Sequence, residues 1–101
     1  MIHLGVRHGR AYRLILQDLK EALTQIGDSY TFFHMSTEEW EKLDPEHQSA
    51  LLESLADDVF YGLGGVQSQF RVGRGEVTYD PKFHIIKVGI DEKLVRIVHL
   101  I

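Results

Sequence analysis

The side chains in this sequence best suited to chemistry are six histidines, a pair of adjacent aspartates and a basic string near the start. His3, His8, His34, His47, His84 and His99 carry imidazoles able to ligate a metal or move a proton near neutral pH. None forms an i, i+4 pair on an expected helix, and no His-Glu-x-x-His string occurs, so spacing alone builds no metal site. His34, His84 and His99 fall in expected strands, where only the tertiary fold decides whether they meet; otherwise each is exposed or holds one hydrogen bond within a sheet. Asp57 and Asp58, with Tyr61 nearby, suit general acid–base work, although paired carboxylates near a helix end ordinarily face solvent. The chain has no cysteine, which excludes a thiol nucleophile, a disulfide framework and a thiolate metal site. No serine occupies a Gly-x-Ser-x-Gly elbow; Ser29, Ser36, Ser49, Ser54 and Ser68 read as caps, helix-surface or strand residues. Gly62-Leu63-Gly64-Gly65 lacks both the last glycine of a dinucleotide loop and the Lys-Ser/Thr of a P-loop, and it follows a helix where those motifs follow a strand. No cofactor is implied.

The sharpest local string is Arg7-His8-Gly9-Arg10, after the strand-like Ile2 to Val6 and before the first helix. It resembles the start of the histidine phosphatase and phosphoglycerate mutase family. The resemblance implies His8 as phosphate-accepting nucleophile and Arg7 as phosphate ligand, with the start of helix 1 helping to hold the anion. It covers about four residues of the 101. The family also has a second histidine, usually beside a glycine late in the chain, a further arginine and an acid, on a longer α/β scaffold with a parallel sheet. Here His84 and His99 have no glycine neighbour and the C-terminal half reads antiparallel, so the string by itself establishes no reaction.

Charge is unevenly distributed. Residues 36 to 58 hold Glu38, Glu39, Glu41, Asp44, Glu46, Glu53, Asp57 and Asp58 against Lys42, a formal charge of −7 within a chain of net −4. The first twenty residues sum to +3, and the stretch from Arg71 onward to +2. An acidic helical segment beside a more basic remainder fits a protein partner better than a nucleic-acid backbone, which favours a continuous basic surface. The plain alternative is a solvated acidic face. A nucleic-acid reading would use Arg71, Arg74, Lys82, Lys87 and Arg96 with Phe70, Tyr79 and Phe83 as stacking platforms. The aromatic-basic consensus of an RNA-recognition sheet is absent, and core packing accounts better for those rings.

The elements that must position these residues follow from periodicity. Ile15, Leu16, Leu19, Ala22, Leu23 and Ile26 recur at helical spacing, giving a helix over about residues 9 to 26 with Gly27 as its left-handed stop. Tyr30-Thr31-Phe32-Phe33-His34-Met35 is aromatic and β-branched and reads as a buried strand. Ser36 with Glu39 is a capping-box pattern opening a short helix that carries Trp40 and Leu43. Asp44 caps a third helix with Pro45 at its first position and an apolar stripe of Leu51, Leu52, Leu55 and Val59, ended by the glycines from Gly62. From Val66 the period falls to two. Strands are expected from Val66 to Val72, Glu76 to Tyr79, Phe83 to Val88 and Leu94 to Ile101, joined by turns at Gly73-Arg74-Gly75, Asp80-Pro81-Lys82 and Asp91-Glu92-Lys93. The last strand is apolar on both sides, which places it centrally or under another subunit, so a homodimer is expected.

The expected architecture is one α+β domain over residues 1 to 101. It is a two-layer sandwich with about three helices packed on an antiparallel sheet of about four to five strands, formed mainly by the C-terminal half. No apolar run approaches the length of a membrane span and no signal-peptide pattern opens the chain, so the cytoplasm is the default. The functional expectation is a small bacterial, non-enzymatic protein that binds another protein through the acidic segment, with Glu38, Glu39 and Glu41 as its contact face, or through the sheet. Phosphate chemistry at Arg7 and His8 is the enzymatic alternative, and a small-ligand or nucleic-acid binder on the sheet the third.

Overall fold

The computed structural model describes residues 8–64 and 68–101. The expected strand from Ile2 to Val6, Arg7, and the first residues of the strand expected from Val66 lie outside them. Three helices pack against one face of a four-stranded antiparallel sheet, the α+β sandwich that the periodicity predicts.

Helix α1, Tyr12–Ile26, buries Ile15, Leu19, Ala22, Leu23 and Ile26, the stripe set by the 3.6-residue repeat. It begins at Tyr12 rather than at residue 9: Ala11 is extended, with ψ 131°, and before it the Gly9 and Arg10 N–H groups hold the chain to the Leu100 carbonyl, at 2.8 and 2.9 Å. Gly27 ends it with a φ of +87°, where a side chain would be strained. The Ser29 hydroxyl, buried, donates to the Leu23 carbonyl at 2.5 Å, satisfying an acceptor that the helix end leaves free.

The segment expected as a buried strand at 30 to 35 is instead a 3-10 turn, Ser29–Phe33, followed by His34 in the left-handed region at φ +60°. Thr31 is tied back to the Asp28 carbonyl by both its N–H and its hydroxyl. Tyr30 stacks on Trp40 at 5.5 Å and 19°. The run lies between a helix stop and a capping box, so its aromatic rings pack locally against the helical layer; short apolar runs carry no period that separates these outcomes.

Helix α2, Thr37–Glu41, has the reciprocal capping box: the Glu39 N–H donates to the Ser36 hydroxyl, and the Ser36 N–H donates to the Glu39 carboxylate. Helix α3, Pro45–Leu63, is capped by Asp44, with proline at its first position, and buries Leu52, Leu55, Ala56, Val59, Phe60 and Leu63. The expected stripe is nearly this set; Leu51 is only half-buried.

The strands β1 (Gln69–Val72), β2 (Gly75–Asp80), β3 (Ile85–Ile90) and β4 (Lys93–His99) form a meander in that order. Val77↔Val88 and Ile86↔Val98 are register partners. With Val72 they form the sheet side of the core, against Ile15, Leu19 and Leu23 of α1 and Leu55, Val59 and Phe60 of α3. β3 starts at Ile85, not Phe83, because Asp80 draws the N–H groups of Lys82 and Phe83 into a turn that ends with His84 at φ +53°. β4 is not central: among the described residues it is the edge strand beside β3. A register shift at Val88/Gly89 leaves Val95 as the extra residue. Leu94 therefore stands opposite Gly89, on the open face with Ile97, while Val98 is buried on the helical side.

Two close contacts lock the layers. The Phe70 ring lies so near Gly62 on α3 that a β-carbon there would fall 2.4 Å from it. Asp28 accepts the Arg74 N–H at 2.9 Å, joining the end of α1 to the β1–β2 turn.

Candidate functional site

α1 and α3 run side by side, and this brings His8 to residues fifty positions away. The Tyr12 hydroxyl at the start of α1 donates to the Asp57 carboxylate on α3. Phe60, buried, meets Tyr12 at 4.9 Å and 63° and His8 at 5.4 Å and 77°. Tyr61 lies 6.0 Å from Tyr12 on its other side. The sequence named His8 and the Asp57, Asp58 and Tyr61 group separately; the fold places His8, Asp57 and Tyr61 around one tyrosine that the sequence used only as a helix residue. No period or motif could have singled out Tyr12, because its partner lies 45 residues ahead.

The electrostatics give this tyrosine a donor's role. Burial raises the Tyr12 phenol well above the ordinary tyrosine range, and the hydrogen bond to Asp57, its charge, and Tyr61 push the same way. The phenol keeps its proton at neutral pH and pins one carboxylate of the Asp57–Asp58 pair. The rest of the phosphatase-like string is already engaged. The Gly9 and Arg10 N–H groups, natural donors to a bound phosphate, serve the Leu100 carbonyl. The Arg10 guanidinium pairs with Asp18 at 2.7 Å and donates to the His99 carbonyl at 3.2 Å. Arg7 lies outside the described residues. The sheet is antiparallel throughout its described strands, unlike the parallel sheet that the resemblance implies.

Of the other histidines, His84 and His99 come near each other across the β3–β4 ladder, where Ile85 is the register partner of His99 and the His84 carbonyl accepts the Leu100 N–H at 3.0 Å. His34 follows the 3-10 turn, His84 precedes β3, and His99 ends β4. His47 meets Asp44 at 2.8 Å at the start of α3, where the His47 N–H, then its ring, hold the Asp44 carboxyl below its ordinary range. Among the described residues no group of three or more His, Cys, Asp or Glu side chains is placed to hold a metal.

Glu38, Glu39 and Glu41 are exposed on α2. Glu38 and Glu39 lie in its first turn, where negative charge favours the helix dipole, and Glu39 is engaged in the capping box. The basic residues of the sheet are largely neutralised by neighbours: Arg71 by Glu76 at 3.1 Å, Arg74 by Asp91, Lys87 by Asp80 at 3.7 Å. Arg96 turns to the helical side, 2.9 Å from Glu21 and 3.5 Å from Asp18. Phe70 and Tyr79 pack against the core. Of the rings proposed as stacking platforms, Phe83 alone is strongly exposed, at 63%.

The most distinctive surface is at the β3–β4 end of the sheet. Phe83, Leu94, Val95, Ile97 and Ile101 account for five of the seven large hydrophobic residues that stand exposed among the described residues, with Leu94 at 58% and Ile101 at 72%. Leu94 and Ile97 share the open face of β4, while Phe83 and Ile101 lie past its other end, where the Leu100 N–H donates to the His84 carbonyl at 3.0 Å. Among the described residues no helix is long and apolar enough to cross a membrane. Against known proteins, the chain matches no family model, no curated protein sequence and no solved structure.

Proposed function

We propose that this protein is a non-enzymatic protein-binding module, working in the cytoplasm, whose β3–β4 surface docks a second copy of the same chain. The observation that carries the reading is that five of the seven exposed large hydrophobic residues among the described residues, Phe83, Leu94, Val95, Ile97 and Ile101, lie along the edge strand β4 and just before β3. A second copy fits because β4 is an edge strand of the described sheet and Arg96, near its middle, faces α1 and is neutralised there by Asp18 and Glu21, leaving the exposed Lys93 at the start of the strand. Two copies related by a two-fold axis thus meet apolar against apolar around Ile97, with Lys93 at the rim and Lys87, the neighbour of Ile97 on β3, paired with Asp80 at 3.7 Å.

Light scattering over a concentration series tests this. The expected result is a dimer that becomes monomeric in Ile97→Lys with the helical circular dichroism unchanged. A parent chain monomeric at about 100 μM, a concentration where a Kd of 1 μM gives nearly full association, overturns it. A monomer that instead takes up a different protein through the same residues would keep the module and discard the self-pairing; Glu38, Glu39 and Glu41 reversed together then report whether the acidic helix contributes.

A further inference from the structure

We propose that the outer groove between α1 and α3 binds a small organic anion, a carboxylate or phosphate head on a short apolar body. The groove contains a cavity of about 260 Å³ lined by Arg13, Leu16, Gln17 and Lys20 of α1 and Glu53 of α3. Residues 13, 16, 17 and 20 recur at three- and four-residue spacing, so they share one face of α1, with the two cations almost two turns apart, about 10 Å. The site is independent of the sheet surface and lies on the opposite layer.

Its chemistry is asymmetric. Two cations and an amide face one carboxylate, on a chain whose net charge is −4. The ion pairs among the described residues engage Arg10 and Arg96 but neither Arg13 nor Lys20. Lys20 is half-buried, and its Nζ donates to the Ser49 hydroxyl on α3 at 2.5 Å. That bond uses one of the three ammonium donors and fixes the group in place, lowering the ordering cost of binding. Leu16, packed against the core, supplies an apolar floor. Lys20 holds the head, Leu16 carries the body, and Arg13 and Gln17 close the far side. The nearest other carboxylate along α3, Asp57, is engaged by the Tyr12 hydroxyl. Glu53, one turn of α3 beyond Ser49, opposes an anion held midway along the groove and favours ligands whose charge sits at the Lys20 end.

Hexanoate titrated into the full chain at low salt, followed by backbone amide NMR, tests the site, with hexylamine as the charge-reversed control. Saturable shifts centred on residues 13 to 20 and 49 to 53 are expected, weakened by added salt and by about tenfold in Lys20→Gln, the loss of one charge-assisted hydrogen bond. Glu53→Gln should bind more tightly, and Ile97→Lys as well as the parent chain. Absence of saturable shifts, equal binding of hexylamine, or unchanged affinity in both Lys20→Gln and Arg13→Gln with folding retained would each overturn the assignment.

Discussion

At the scale of single residues, several side chains and glycines do work that their sequence neighbours do not announce. The Tyr12 phenol is the clearest. Its folded pKa lies above the ordinary value of 10.0, so the stabilisation tied to the neutral phenol is complete below about pH 10 and is lost as pH rises through the folded value. Denaturant midpoints measured between pH 8 and 11.5 should fall at the alkaline end, and fall less in Tyr12→Phe; equal slopes in the two chains would show that the Tyr12–Asp57 bond carries no such linkage. Gly62 is required by space rather than by φ. Gly62→Ala drives a methyl group into the Phe70 ring and should cost roughly 1–3 kcal/mol, the penalty of overpacking, in a urea titration. Leu19 and Leu55 are fully buried, and either truncated to alanine should cost about 2–5 kcal/mol by the same measurement.

At the scale of elements, local signals proved decisive where the chemistry is local. The Ser36–Glu39 box and the Asp44-Pro45 start are satisfied by groups within three residues, so type and spacing were enough to place α2 and α3. Glu39→Ala should speed amide exchange at the start of α2 by removing the acceptor of the Ser36 N–H while leaving α3 protected. The aromatic run at 30 to 35 shows the opposite case. Its residue types favour a strand, but a strand needs a neighbour to pair with. Between a helix stop and a capping box the chain turns through 3-10 geometry and packs Tyr30 on Trp40. The limits of α1 and β3 moved for a related reason: the Gly9 and Arg10 N–H groups and those of Lys82 and Phe83 found partners outside the regular ladder.

At the scale of the whole molecule, the helices cover one face of the sheet, and Leu94 and Ile97 of β4 stand exposed on the other. Self-pairing through that surface should raise the thermal midpoint with protein concentration, a dependence that Ile97→Lys removes. The acidic segment 36 to 58 forms α2 and the greater part of α3, while the basic residues of the sheet find acidic neighbours, so the charge imbalance stays on the helical layer. The sequence by itself determined the class of fold, the three helices, the four antiparallel strands and most of the core, because hydrophobic period, caps and turn residues act within a few positions along the chain. Only the tertiary structure decided that β4 lies at an edge of the described sheet, that His8 meets Tyr12 and Phe60 while Tyr12 meets Asp57 and Tyr61, and that Arg13 and Lys20 border a groove lined from the other side by α3. Those arrangements depend on which distant elements pack together and in what register, and that choice is made by the summed burial of the whole core rather than by any one segment.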